Sequence, residues 1–320
     1  MNASRPSLSV VIPTYQRPDW IRRAVHSIAI QDPLPAEVIA IARDTDLPTH
    51  AAIADLQRES LPFPLRSELV SEPGFIPPVR LGLSVAASDI IAVMDDDAEA
   101  VAGWTDRLLR PYADNSVGAV GGRYINSSED GPTPVPDVDR VAYVNRWGQF
   151  VGNLYCNPRF TDPVDVWFMI GGNMSFRREV ARRLEFDMQL NRNVANGYEV
   201  DIGLQVRRMG WRIVFDPLLA VRHYSAPRQT AGLRASSRDS IQWYAFNQTR
   251  VALRRLPAAQ RSVAVAYQLA VGERRAPGLL PLAAWPLARK VGFELDMATA
   301  ALKGRLLAMK SVFRVEASGR

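Results

Sequence analysis

DIIAVMDDDAEA, residues 89–100, is the stretch from which the rest of the chain is read. An apolar run, Ile90 to Met94, leads directly into three carboxylates, Asp95, Asp96 and Asp97. Five consecutive apolar residues suit a strand buried on both faces, as in the parallel sheets of α/β proteins. Aspartates crowded at its end repel one another. Two carboxylates ~4 Å apart cost about 1 kcal/mol in water and several-fold more in a drier cleft. A divalent cation reverses that sign, because Mg²⁺ and Mn²⁺ take oxygen ligands, typically one or two carboxylates plus phosphate oxygens. In open α/β sheets ligands bind beyond the carboxyl ends of the strands, so the position suits a metal–phosphate site. In extended chain, residues i and i+2 point the same way. That predicts Asp95 and Asp97 on one side and Asp96 opposite. The plain alternative is an acidic turn in which one aspartate caps the next helix; D-x-D directly after an apolar strand favours the metal.

Working outward, short apolar runs alternate with helical patterns. LSVVIP (8–13), EVIAIA (37–42), IIAVM (90–94) and VGAVGG (117–122) read as buried strands, and WRIVFDP as a later one. DWIRRAVHSIA (19–29) places Ile21, Val25 and Ile28 on one helical face; 79–87 and 104–112 are further helix candidates, and 196–210 is helical in its second half. Residues 126–140 form a turn-rich insertion. This is the pattern of a mostly parallel, doubly wound α/β domain. No GxGxxG follows the first strand and no GxxxxGK[ST] occurs, which disfavours a dinucleotide-binding site and a P-loop. After about residue 230 the chain turns alanine-, leucine- and arginine-rich. Val291, Leu295, Ala298, Leu302, Leu306, Met309 and Phe313 recur at helical spacing and share one side of a wheel, with Lys303 and Lys310 opposite and Glu294 and Arg305 flanking.

The 320 residues suffice for one large domain with an appendage, or for two domains, and 47% of them are hydrophobic, so a core can form. Lys+Arg exceed Asp+Glu by 39 to 33, a net charge of +6 that suits a phosphate-bearing ligand, an anionic membrane surface or nucleic acid, or simply a solvated basic surface. The one cysteine, Cys156, rules out an intrachain disulfide and reads as a small buried hydrophobe. The N-terminal apolar run, Leu8–Ile12, is too short for a signal peptide, and no stretch reaches the length of a spanning helix. The expected location is the cytoplasm, with peripheral contact on the cytoplasmic face of the membrane.

Taken in order, SVVIPTYQRP, PGFIPPVRLGLSVAASDIIAVMDDDAEA, WTDRLLRPYADNSVGAVGGR, IGGNMSFRRE, GYEVDIGLQVRRMGWRIVFDP and VRH resemble a glycosyltransferase of family 2, with the GT-A fold, over roughly residues 7–225. The resemblance implies a GT-A domain over 1–230 and a helical C-terminal region over 231–320 that covers the acceptor side or docks on a membrane surface. It implies a nucleotide-sugar donor, a divalent metal (Mn²⁺ or Mg²⁺) and inversion at the anomeric carbon. It places Pro13, Thr14, Tyr15 and Arg17 in the first nucleotide-binding loop, Asp44 near the base, Asp95 toward the ribose and the metal, Asp96 with the donor, Asp97 on the metal, and His223 as a further ligand. Gly171, Gly172 and Asn173 match the loop lining the sugar and acceptor pocket. Trp167 and Trp211 are candidates for stacking on a sugar, with core packing the commoner fate of tryptophan. Arg228 and Arg80 are candidates to neutralise the leaving diphosphate, which needs its growing charge compensated.

An acceptor hydroxyl needs a general base. By the family's spacing back from Gly210, Glu199 stands at the base position, with Tyr198 where the family has glutamate and Asp201 as the rival carboxylate. The bland reading of Glu199 is a helix N-terminal charge, and that of His223 a strand-end cap. The second strand ends in Ala42-Arg43-Asp44 where the family has Asp-Asp or Asp-Asn followed by Gly-Ser; Arg80 stands where asparagine is common, and Gln205 where arginine is. The expected acceptor is a sugar or lipid-linked sugar in polysaccharide or glycolipid assembly, with an anionic membrane surface as a further partner and no nucleic acid. Two rivals are a nucleotidyltransferase, for which PTYQRP offers no triphosphate loop, and an inactive basic protein that binds membrane or polyanion, which predicts salt-sensitive binding indifferent to Asp97.

Overall fold

The apolar runs of the first half become the middle strands of one sheet. The computed structural model of the chain describes residues 5–128, 131–192, 197–224, 226, 238–283 and 295–318. These fall into two compact units, one made of 1–143, 152–186 and 205–229, the other of 144–151, 187–204 and 230–320.

In the first unit, strands β1 (Leu8–Thr14), β2 (Glu37–Arg43) and β4 (Ile90–Met94) pair in parallel, and β3 (Leu65–Val70) extends the sheet beside β2. Val10, Val11 and Ile12 of β1, Val38 to Ala42 of β2 and all of β4 are fully buried. Each such Ile or Val side chain contributes about 1.5–3 kcal/mol on leaving water. Along the sheet's main path the strand order is β7-β9-β6-β8-β4-β1-β2-β3, where β6 is Val117–Ser128, β7 Val164–Asp165, β8 Asn173–Arg177 and β9 Arg212–His223. β8 runs antiparallel between β4 and β6, and β9 lies parallel to β6. A short strand β5 (Ala98–Ala100) pairs antiparallel with the end of β9. The sheet is therefore mixed but mostly parallel, as expected. β3 and β8 were not legible: β3 (LRSELV) is an edge strand whose apolar residues are interrupted by Arg66, Ser67 and Glu68, and β8 reads NMSFR, with no apolar run.

Helix α1 (Pro18–Ala29) starts on Pro18, carries Asp19 in its first turn and buries Ile21, Ala24, Val25 and Ile28 as the spacing predicts. α2 (Leu47–Arg58) is capped by Asp46, whose carboxylate accepts from the Thr49 amide. α3 (Ile76–Val85) starts three residues before the expected Val79, because Pro77 suits a helix's first turn. α4 (Trp104–Leu109) ends before Pro111, earlier than expected. α5 is the short Arg178–Ala181, and α6 (Tyr198–Arg208) runs across the division at 204/205.

The second unit carries α7 (Arg238–Arg255), α8 (Ala258–Ala270), α9 (Leu279–Ala283) and α10 (Leu295–Ser318). The expected leucine stripe of α10 is not its packing face. Leu295 and Leu306 are each 53% exposed, whereas Ala298, Ala301, Arg305 and Ala308 are buried. The reason is the close approach of α7: a Cβ added at Gly304 would lie 2.1 Å from the Gln242 carbonyl oxygen of α7. A leucine seam would force the helices apart. Arg305 is buried by donating from Nη1 to the Pro277 carbonyl at 2.8 Å and from Nη2 to that of Ala276. Val291 and Glu294 lie outside the described residues, as does the side chain of Phe313. Among the described residues, no helix is long and apolar enough to cross a membrane.

Candidate active site

Strand register brings the acidic run and His223 together. Asn173 of β8 pairs with Met94 of β4, so Gly172 meets Asp95, whose amide donates to the Gly172 carbonyl at 3.4 Å. His223 of β9 pairs with Ala98 of β5, so it meets Asp97. The Tyr224 amide closes this junction on the Asp97 carbonyl at 3.0 Å. One ligand atom each from Asp95, Asp97 and His223 lie within 4.8 Å of one another. The cluster stands at the carboxyl end of β4, where an α/β sheet places its ligands.

Asp95 and Asp97 do come together as expected, but Asp96 is not turned to the opposite side, because the chain leaves the strand at Met94. Residues 95–98 form a turn, closed by the Ala98 amide on the Asp95 carbonyl at 3.3 Å. Asp96 is therefore not turned away from Asp97. Arg17 Nη1 donates to Asp96 Oδ1 at 2.7 Å and to Asp97 Oδ2 at 2.9 Å, and its Nη2 to the Ala226 carbonyl at 3.1 Å. The resemblance puts Arg17 beside base and ribose; here its guanidinium is held by the two carboxylates.

Three residues that sequence reasoning passed over complete the cluster. Tyr124 of β6 donates its hydroxyl to Asp95 Oδ2 at 2.5 Å and stacks on the His223 ring at 4.7 Å between centroids. Asn126 Oδ1 lies 3.4 Å from His223 Nδ1, which leaves Nε2 toward Asp97 Oδ1, also at 3.4 Å. The Ala226 amide donates to Asp97 Oδ2 at 3.0 Å. No local pattern around Tyr124 or Asn126 announces them; only the pairing of β6 with β9 does. Gly172 is required for the same reason, since a Cβ there would lie 1.8 Å from the Tyr124 hydroxyl and 2.2 Å from the Asp95 carboxyl carbon.

The electrostatics are those of crowded, buried acids. Burial pushes the Asp95 carboxyl up, the Asp97 charge adds to this, and the Tyr124 hydrogen bond offsets it in part. Burial raises Asp96 to about 6 against the opposing pull of Arg17. Burial also works to raise Asp97, but the His223 hydrogen bond, the Arg17 charge and the Ala226 amide outweigh it and hold it below the ordinary value. Two carboxylates and an imidazole, held by hydrogen bonds from outside, form a donor set that suits a divalent ion such as Mn²⁺.

The other expected residues are differently placed. Tyr15 is exposed, with the Arg43 guanidinium 5.8 Å from its ring. Asp44 is exposed beside Arg43. Asp46, two residues on, is the one that braces the PTYQR loop: it accepts from the Gln16 amide as well as capping α2, and Gln16 adopts the left-handed φ of 55°. Pro13 is half-buried and Thr14 buried. Arg80 pairs with Glu72 at 3.2 Å. Asn173 is buried and spent on internal hydrogen bonds, accepting from Trp104 Nε1 and donating to the Arg123 and Leu219 carbonyls. Gly171 is buried beside it. Trp167 is half-buried under the Arg207 guanidinium at 4.7 Å. The Trp211 ring lies 5.9 Å from the Arg177 guanidinium. Arg228 lies outside the described residues. In the second unit, Glu199 and Asp201 share the first turn of α6. Asp201 is buried and gripped on both oxygens by Arg255, at 2.7 and 2.9 Å. Glu199 is half-buried and accepts from the Gly197 amide at 3.1 Å.

The sequence model of Glycosyl transferase family 2 matches residues 9–185, from β1 through β8. The chain belongs to glycosyltransferase family 2. The matched residues include Asp95, Asp96 and Asp97 and stop short of Glu199 and His223 in this glycosyltransferase. Solved structures of similar shape are glycosyltransferases too. GalNAc-T7 with UDP, GalNAc and Mn²⁺ is 17% identical with a TM-score of 0.59, over 83% of this chain and 55% of that one, so the chain spans about half of that protein's length. A mannosyltransferase from Pyrobaculum calidifontis with GDP-Man and Mn²⁺ is 19% identical with a TM-score of 0.57, over 99% of this chain and 84% of that one. S. aureus TarS 1-349 is 14% identical with a TM-score of 0.52, over 82% and 71%. At these identities the likeness speaks for the GT-A fold. No curated protein matches the glycosyltransferase.

Proposed function

We propose that the enzyme transfers a sugar, with inversion, from a nucleotide-diphosphate donor to a hydroxyl acceptor, using a divalent cation held by Asp95, Asp97 and His223. The observation that carries this is the convergence of those three side chains within 4.8 Å at the end of β4. The Mn²⁺ with UDP or GDP-Man in the similar structures supports the same reading. The cation would supply charge neutralisation for the departing diphosphate. Arg17 pins Asp96 and Asp97 so that the acidic turn is set before the donor arrives. The exposed Tyr15 ring and Asp44 carboxylate lie in the loops given to the nucleoside. Glu199 is the general base, taking the acceptor proton. Its rival Asp201 has both oxygens committed to Arg255 and serves to fix α6. The acceptor is a hydroxyl of a glycan or glycolipid, and the enzyme works at the cytoplasmic face of a membrane.

Thermal unfolding of the wild type and of Asp97→Ala, with UDP-, GDP- and dTDP-sugars and with or without Mn²⁺, tests the donor site. One nucleotide should raise the wild-type midpoint only with metal and leave the variant unmoved. No shift with any donor, or an equal shift in the variant, overturns the reading. Glu199→Gln should then keep that donor shift while losing about 10²–10⁴-fold in kcat. Asp201→Asn should instead lower stability by about 1–3 kcal/mol, since it replaces the charged two-oxygen grip on Arg255 with a single neutral acceptor.

A further inference from the structure

The last helix presents a face that its own packing does not use. α10 turns its small residues to α7 and leaves Leu295 and Leu306 outward, with Leu302 and Met309 half-buried beside them. α9, in contact with α10, leaves Leu279 and Leu280 51% and 59% exposed. Lys303 and Lys310, expected opposite the apolar stripe, instead stand exposed along the same outer surface and share with Leu302 and Leu306 a shallow groove, because at ~100° per residue Lys310 falls about 40° from Leu306. Next to it, Arg192 lies over the Trp243 ring at 4.8 Å, and with Lys310, Leu307 and Phe246 it lines a cavity of about 350 Å³. Among the described residues, no carboxylate forms an ion pair with Arg192, Lys303 or Lys310. Asp296, at the N-terminal end of the face, is the one acid among the described side chains of α10. Of the 39 Lys+Arg residues only three are lysine, at 290, 303 and 310, so both lysines of α10 fall on this face of an otherwise arginine-rich chain.

We infer that this face of the second unit docks on an anionic membrane surface. Leu295 to Lys310 spans about 23 Å of helix, longer than one headgroup and suited to lying along a bilayer. Outward leucines flanked by lysines are the pattern of a helix that lies in the interface, apolar side chains down and ammonium groups at the phosphates. A soluble polyanion would engage the lysines and leave the leucines in water; the leucines therefore favour lipid. Each lysine near such a surface strengthens binding by about fivefold. Docking of this face rests on the membrane location proposed above and uses none of the donor-site residues, so its failure would leave the transfer reaction standing.

The test is co-sedimentation of the full chain with vesicles of phosphatidylcholine alone or with about one-third phosphatidylglycerol. The wild type should sediment only with the anionic vesicles. The pair Leu295→Glu and Leu306→Glu should bind at least about tenfold more weakly, as should Lys303→Glu with Lys310→Glu. A charge-matched pair elsewhere, Arg58→Glu with Arg110→Glu, should bind as the wild type does. These side chains are exposed, so unchanged thermal melting confirms that each variant is folded. No wild-type sedimentation, equal binding to neutral vesicles, equal loss in the Arg58/Arg110 control, or full binding by the leucine pair each overturns the inference, the last pointing to a general polyanion surface.

Discussion

A single acid shows how this site is poised. Asp96 is buried and its carboxyl is raised to about 6, from an ordinary value near 4. An acid whose pKa is higher in the folded state binds its proton more tightly there. Its contribution to stability is full below pH 4 and is lost as pH rises through 6, about 2–3 kcal/mol by pH 7. In the presence of chelator, the midpoint difference between wild type and Asp96→Asn should therefore move in favour of the variant between pH 4.5 and 7.5; parallel pH profiles would refute it. Tyr124→Phe removes only the hydroxyl that turns Asp95, and should weaken Mn²⁺ binding about 10–100-fold by calorimetry with little loss of fold. Asp95, Asp97 and His223 were legible because the acids follow an apolar strand and the histidine closes VRH. Tyr124 and Asn126 were not, since their place depends on β6 pairing with β9, a contact across about a hundred residues of chain.

Elements were legible where periodicity was strong. β1, β2, β4 and α1 lie where apolar runs or helical spacing put them. The failures share one cause, that local pattern does not say what an element packs against. β8 is buried between two strands yet carries Asn, Ser and Arg, because Ser175 bonds to the Val120 carbonyl and Asn173 to three neighbours. α10 was assigned its leucine face when its alanine face does the packing. Asp46, two residues past Asp44, was not singled out, although an aspartate directly before Leu47-Pro48 is a helix-start signal. Because it holds both the first turn of α2 and the Gln16 amide, Asp46→Ala should cost about 1–2 kcal/mol in urea unfolding. It should also weaken donor binding, whereas Asp44→Ala should leave stability unchanged. Equal stability in the two variants would mean that the cap does not brace the loop.

At the scale of the whole chain, the family match covers the half that carries the acidic turn, and the rest of the proposed machinery, Glu199 and His223, lies past its end. The second unit is the part that fold-level likeness informs least, and there composition speaks instead. A lysine-specific protease can cut this chain only after Lys290, Lys303 and Lys310, so no digest of it, native or denatured, divides residues 1–290. The bonds after Lys303 and Lys310 lie inside α10 and must unwind to enter a protease. Under native conditions their cleavage should slow by the opening equilibrium of that helix, relative to the denatured chain. The fragment pattern on a gel thus becomes a stability assay for one helix.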